Sequence, residues 1–268
     1  MADEPLRLTV LGSATPFARP GNACSGHLVE GGGVRVWVDA GSGTLAELQR
    51  YVALGDVDAV WISHLHADHS ADLLTAYYAL LYAGLELPLP VLLFGPAGIA
   101  DRLAGFLTNG PDRSPVEGAF RVEELYDGHV VRVGGLTLRS RAVEHGMPAF
   151  ALRVEDEAGR SLVYSGDCEP CPSLVELARD CDLLVCEADG AGAGHHSAAQ
   201  AGRSAADAGA GRLVVTHVGA GVRPEEAVAL AAAEFPGEVA HADPGLRIEV
   251  TRRSRTPGRT PTSPASSR

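Results

Sequence analysis

The chain has 268 residues, 46 % of them apolar and 21 % charged, with a formal net charge of −12. That composition is globular and excludes disordered and fibrous classes. All 22 basic residues are arginine, which excludes Schiff-base lysine chemistry and a lysine-bearing phosphate loop.

The first half reads as short strands at 6–11, 27–30 and 34–38, separated by glycine-rich turns. A helix is expected over 44–52 and a short buried strand over 59–63. A mostly apolar helix over 71–83 is closed by Gly84. A strand at 91–94 and a helix at 99–107 follow. The second half has the same texture, with strands at 130–133, 136–143, 149–154 and 162–165. Further strands at 183–187, 213–216 and 246–250 alternate with helices at 173–179, 198–208 and 224–234. Two strand-rich halves with helices outside predict an α/β, four-layer αββα sandwich over residues 1–250.

Residues 251–268 hold five arginines and no acid, and a disordered tail is expected there. Removing that +5 from −12 leaves −17 on residues 1–250. So acidic a body disfavours long nucleic acid, while a small anion remains compatible with a cationic centre. Residues 1–8 resemble neither a secretion nor a transit leader, and no apolar run approaches the ~18 residues that span a bilayer. The five cysteines are odd in number and irregularly spaced, which argues against a disulfide framework. The expectation is a soluble, cytoplasmic protein without a membrane partner. The pair Cys168 and Cys171 reads as packing rather than as a zinc or redox site.

Ten histidines against five cysteines point a bound metal towards imidazole and carboxylate ligands. The decisive segment is 61–70, Trp-Ile-Ser-His-Leu-His-Ala-Asp-His-Ser, which sets His64, His66, Asp68 and His69 just beyond a buried strand. Four potential ligands in six positions converge only if the chain turns there, and the spacing suits a dinuclear imidazole/carboxylate site.

This segment resembles the signature of the metallo-β-lactamase superfamily. Further elements match in order: Asp39 at the end of an early strand, His145 after the strand ending near Val143, Ser165-Gly166-Asp167, and His217 after Thr216. The resemblance implies the metallo-β-lactamase fold and a hydrolase with two divalent metal ions. It places His64, His66 and His145 on one metal and Asp68, His69 and His217 on the other, with Asp167 bridging and a shared hydroxide as nucleophile. The ligand set suits Zn²⁺ and tolerates Mn²⁺ or Fe²⁺. Asp39 and Glu187 are candidates to orient the imidazoles.

The stretch Gly194-His195-His196-Ser197-Ala198-Ala199-Gln200 resembles the ribonuclease Z-like phosphodiesterase group. There a His-Ser/Thr-x-x-Gln stretch supplies a proton-handling histidine. The register favours His196 as general acid over its neighbour His195, so His196, Asp68 and Asp167 are the expected catalytic residues. Ribonuclease Z carries a long tRNA-gripping arm between the elements matching His145 and Asp167. Only 21 residues separate them here, filled by a strand–turn–strand. The resemblance therefore points to a phosphodiesterase for cyclic nucleotides or other small phosphodiesters. A tRNA 3′ endonuclease, a thioester or lactone hydrolase and a non-catalytic metal-binding module are the alternatives. Dimers are common in the group, which leaves a homodimer open.

Overall fold

The computed structural model describes residues 4–85, 90–190 and 192–252. In the first half, β1 (Arg7–Ala14), β2 (Ala23–Cys24), β3 (Gly26–Gly31) and β4 (Val34–Val38) precede α1 (Thr44–Leu48) and β5 (Ala59–Trp61). Then come α2 (Ala67–Ser70), α3 (Asp72–Tyr82), β6 (Val91–Gly95), α4 (Ile99–Leu107) and β7 (Phe120–Glu124). The second half runs β8 (Val130–Val133), β9 (Leu136–Val143), β10 (Ala149–Asp156), β11 (Ser161–Tyr164), α5 (Pro172–Leu177) and β12 (Leu183–Ala188). It continues through α6 (Ala198–Ala208), β13 (Arg212–Val218), α7 (Pro224–Ala232), β14 (Glu238–His241) and β15 (Arg247–Glu249).

Two sheets form. One has the order β15-β1-β3-β4-β5-β6-β7, with β2 beside β1; the other runs β14-β13-β12-β11-β10-β9-β8. Each sheet is antiparallel where hairpins connect its strands and parallel where helices do.

Strand periodicity builds the layers. Along β4, Val36 and Val38 face the other sheet while Trp37 faces the helices. Between the sheets, Leu8, Val10, Trp61 and Phe94 meet Leu138, Leu152, Leu162 and Val185. On the first sheet's outer face, Trp37, Val60 and Ile62 pack on Leu73, Leu80 and Leu103. On the second's, Val163, Leu184 and Val215 pack on Leu174, Ala201 and Ala231. The result is the expected αββα sandwich.

The departures are local. The helix expected over 44–52 stops at Leu48, and its last residues form a turn. Strands β7 and β14 were not expected. Both are edge strands with mostly exposed or half-buried residues, so neither carries a buried apolar run. The predicted tail lies, from residue 253 onward, outside the described residues. Among the described residues, no helix is long and apolar enough to cross a membrane.

Candidate metal centre

The His64–His69 segment leaves β5 as a tight loop and enters α2. Its main chain is clamped by neighbours: Ser25 N–H donates to Asp68 O at 3.1 Å, and Ala40 N–H donates to His69 O at 2.7 Å. A Cβ on Gly41 would run into the Asp68 carbonyl, so only glycine permits this approach. The second sheet docks on the same loop, with Phe150 N–H donating to Ser63 O at 3.0 Å.

That sheet delivers three more side chains from three strand ends. His145 lies in the turn between β9 and β10, and Asp167 follows β11. His217 sits inside a register slip, where Glu187 pairs with Thr216 but Ala188 pairs with Val218. Its φ of 50° is left-handed, a conformation costly for a non-glycine residue. Bulge and dihedral together turn the imidazole into the cleft.

All seven expected ligands come together. His64 Nε2 and His145 Nε2 lie 3.0 and 3.3 Å from His66 Nδ1, and Asp167 Oδ2 lies 3.8 Å from His64 Nε2. In the second group, His217 Nε2 lies 3.3 Å from both His69 Nε2 and Asp68 Oδ2. Asp167 links the groups, with Oδ1 3.3 Å from His69 Nε2 and Oδ2 3.5 Å from His217 Nε2.

These spacings fit divalent cations. Ligands ~2.0–2.1 Å from a tetrahedral Zn²⁺ stand about 3.3 Å apart. The buried Asp167 Oδ1 has no hydrogen bond in the structure, as suits a metal-binding oxygen. Two tautomers agree. His69 Nδ1–H donates to Asp39 Oδ2 at 2.7 Å and His145 Nδ1–H to Gly194 O at 2.8 Å, so each Nε2 lone pair is turned inward.

The titration directions show the same demand for positive charge. Burial disfavours a charged His69 and His217, yet Asp167 with Asp39, and Asp167 with Asp68, raise both above the ordinary histidine value. Burial likewise opposes ionisation of Asp167, yet His217 and His69 hold it well below the usual carboxylate range. Without metal, protons neutralise the carboxylates; cations would displace them.

Asp39 anchors the arrangement. Besides His69, it accepts from Ser63 N–H at 2.7 Å, Ser63 Oγ at 2.8 Å and Tyr164 OH at 2.8 Å. The sequence pointed to Asp39 but not to Tyr164, which arrives from the other sheet, 125 residues away in the chain.

The two adjacent histidines part company. His196 is buried away from the cluster. Its Nδ1–H donates to Cys168 O at 2.6 Å, and its Nε2 lies 3.0 Å from Ser204 Oγ. His195 faces the cluster instead, stacked on His217 with ring centroids 6.0 Å apart and edge-on to His145 at 5.1 Å. Its Nδ1 lies 3.0 Å from Glu187 Oε1, and this contact foremost raises its pKa to about 9. The reason is local. Ser197 caps α6 in a capping box with Gln200. In the extended approach to a cap, successive side chains point opposite ways, so seating His196 under the helix turns His195 to the cleft. Glu187 therefore holds His195 and is not itself a ligand.

The beta-lactamase superfamily domain matches residues 34–218 of the chain. An uncharacterized protein of Mycobacterium tuberculosis, Rv1339, is 36 % identical over 242 residues, covering 87 % of this chain and 88 % of its own. Ribonuclease Z of Mycobacterium marinum is 31 % identical over 293 aligned positions, covering 91 % of this chain and 99 % of its own. The probable metallo-hydrolase YhfI of Bacillus subtilis is 30 % identical over 234 residues, 80 % of this chain and 87 % of its own. Its crystal structure superposes with a TM-score of 0.81 over 92 % of this chain and 99 % of that one, at 27 % identity. By sequence and by its pair of facing sheets, the chain belongs to the beta-lactamase superfamily and has the metallo-β-lactamase fold.

Proposed function

We propose that the chain is a dinuclear-metal phosphodiesterase for small phosphodiesters, cyclic nucleotides among them. His64, His66 and His145 would hold one cation and Asp68, His69 and His217 the other, with Asp167 shared. Zn²⁺ suits these donors, and Mn²⁺ or Fe²⁺ is tolerated. When bound, the two cations supply Lewis acidity and a water acidic enough to act as nucleophile near neutral pH.

The observation that carries this reading is His195, held protonated by Glu187 at the edge of the cluster. An alkoxide leaving from phosphorus needs a proton, and a positioned imidazolium supplies one. A departing thiolate has no such need, which disfavours the thioester reading. The acid role thus passes from the expected His196 to His195. Asp39 fixes the His69 ring through Nδ1, leaving its Nε2 for the cation.

Substrate size follows from the segment between His145 and Asp167. There β10 and β11 pair as a compact hairpin with its turn at Gly159, on a body of net negative charge. A tRNA endonuclease is the second reading, supported by the likeness to ribonuclease Z. However, 293 aligned positions exceed what a 268-residue chain can fill, so that relative has stretches this chain lacks. The test is a panel of cAMP, cGMP, bis-p-nitrophenyl phosphate, a thioester and a precursor tRNA with defined Zn²⁺ or Mn²⁺. The highest kcat/KM is expected on a small phosphodiester. Preferred turnover of the thioester or the tRNA would overturn the proposal.

A further inference from the structure

Alongside the metal loop lies an apolar groove that the hydrolytic chemistry does not use. It is open, holds about 550 Å³ and is formed by residues of α2, α3 and α4 together with the loop itself. Leu65 and Ala67 line it from the loop, where they alternate with the ligands His64, His66 and Asp68. Leu74 of α3 and Leu103 and Phe106 of α4 supply much of the remaining apolar lining. The volume falls within the ~300–1,000 Å³ of pockets that hold small molecules.

Phe106 is 72 % exposed, more than any other large apolar side chain among the described residues. A ring so placed gains hydrophobic energy when something covers it. Gly105, also exposed, lies in the body of α4, where glycine weakens a helix. Yet a Cβ there would meet nothing within 4 Å. A larger residue has room and would strengthen the helix; glycine leaves the groove open instead. Arg102 is the one charged side chain lining the groove among the described residues. It is exposed, and its guanidinium has no hydrogen bond or ion pair among those residues. Its neighbour Asp101 is held instead by Arg113 at 3.1 Å.

We propose that this groove binds a small apolar anion, an acyl or aromatic body with one carboxylate or sulfonate head, and that the occupant braces the metal loop. The body would lie against Leu74 and Leu103, covered by the Phe106 ring, and the head would meet Arg102. Charge selects this occupant. A neutral molecule leaves the guanidinium unpaired, and a cation is repelled by it. Arg102 answers only one negative charge, and a body of net charge −12 opposes any further one.

The occupant would touch Leu65 and Ala67 on the stretch of chain that also carries His64, His66 and Asp68. A molecule that binds only while this wall is in place favours the loop as it stands. By linkage, the occupant and the cations strengthen one another.

The test uses the zinc-loaded full chain and two fluorescent probes that share one ring system. Anilinonaphthalene sulfonate carries the anionic head, and phenylnaphthylamine lacks it. The sulfonate is expected to bind more tightly. Arg102→Glu should weaken the sulfonate about fivefold or more and leave the neutral probe unchanged. Gly105→Leu fills the groove, so both probes should weaken about tenfold or more while Tm holds or rises. Zinc transfer to a chromogenic chelator is expected to slow when the sulfonate is bound to the wild-type chain, and not in Gly105→Leu. Equal affinity for the two probes, a sulfonate affinity indifferent to either substitution, or zinc transfer at one rate with and without probe overturns the proposal. So does sedimentation that shows a dimer which Gly105→Leu converts to monomer, since a second copy would then fill the groove. Probe binding and zinc transfer require no substrate, so failure here is separate from failure of the phosphodiesterase reading.

Discussion

The two sheets build their shares of the metal centre in different ways. The first delivers His64, His66, Asp68 and His69 from one loop, whose main chain is clamped by Ser25 and Ala40. The second delivers His145, Asp167 and His217 from three strand ends, and His217 requires a register slip and a left-handed backbone. A contiguous motif is fixed by local turn geometry. A distributed one is fixed only once the strands of the whole sheet are in register. The first half should therefore tolerate change in its surroundings, while the second should depend on residues that never touch a metal.

The largest effect is expected where the halves join. Asp167→Ala removes the one carboxylate shared by both groups. Hydrolysis of bis-p-nitrophenyl phosphate should fall by on the order of 10³-fold or more, beyond the 10–100-fold typical of an outer partner. Bound metal, measured by atomic emission, should drop below two per chain. Unchanged turnover would break the comparison at its centre.

Next come the adjacent histidines. His195→Ala should lower kcat about 10²–10⁴-fold while leaving metal content and Tm near wild type. His196→Ala should do the reverse, lowering stability by about 1–3 kcal/mol through the donor lost to Cys168 O while sparing chemistry. Exchanged outcomes would restore His196 to the catalytic role.

The pH profile separates the proton donor from the ligands. His195 acts as an acid and its pKa is raised to about 9, so its active form is present at neutral pH and lost as pH rises through about 9. On the acid side, protons compete with cations at His69 and His217, whose values are raised. Metal affinity should therefore weaken as pH falls, as titration against a competing chelator would show. A profile that stays flat through pH 10 would remove His195 as the proton source.

The smallest effect is expected at Tyr164→Phe, which deletes one of the donors on Asp39. Metal affinity should fall roughly tenfold or somewhat less, because Ser63 still holds the carboxylate. A loss as large as that of Asp167→Ala would mean that Asp39 is far less secure than its donors suggest.

What could be read from the chain follows the same division. His64 to His69 declare themselves because the ligands are contiguous and follow an apolar strand. His145, Asp167 and His217 could be placed only through resemblance, since each stands alone at a strand end. Tyr164 carries no local signal: its phenol matters because β11 faces β4 across the sandwich. The His195/His196 pair shows the limit most clearly. Motif register favoured His196, but the capping box at Ser197 decides which ring goes inward, and that depends on how α6 seats on its sheet. The edge strands β7 and β14 carry no buried apolar run, because as edge strands most of their side chains are exposed or half-buried.

The pairing of β15 with β1 has a consequence for how the protein is made. Arg7 lies opposite Glu249, so partners 242 residues apart complete the first sheet. Loop-closure entropy must be overcome before such a contact returns any energy, which makes this sheet intrinsically slow to finish. During synthesis, the edge of β1 waits uncovered while nearly the whole chain emerges, and an open edge invites pairing with other chains. Temperature and expression rate should therefore govern the soluble yield more strongly than the stability of the finished fold does.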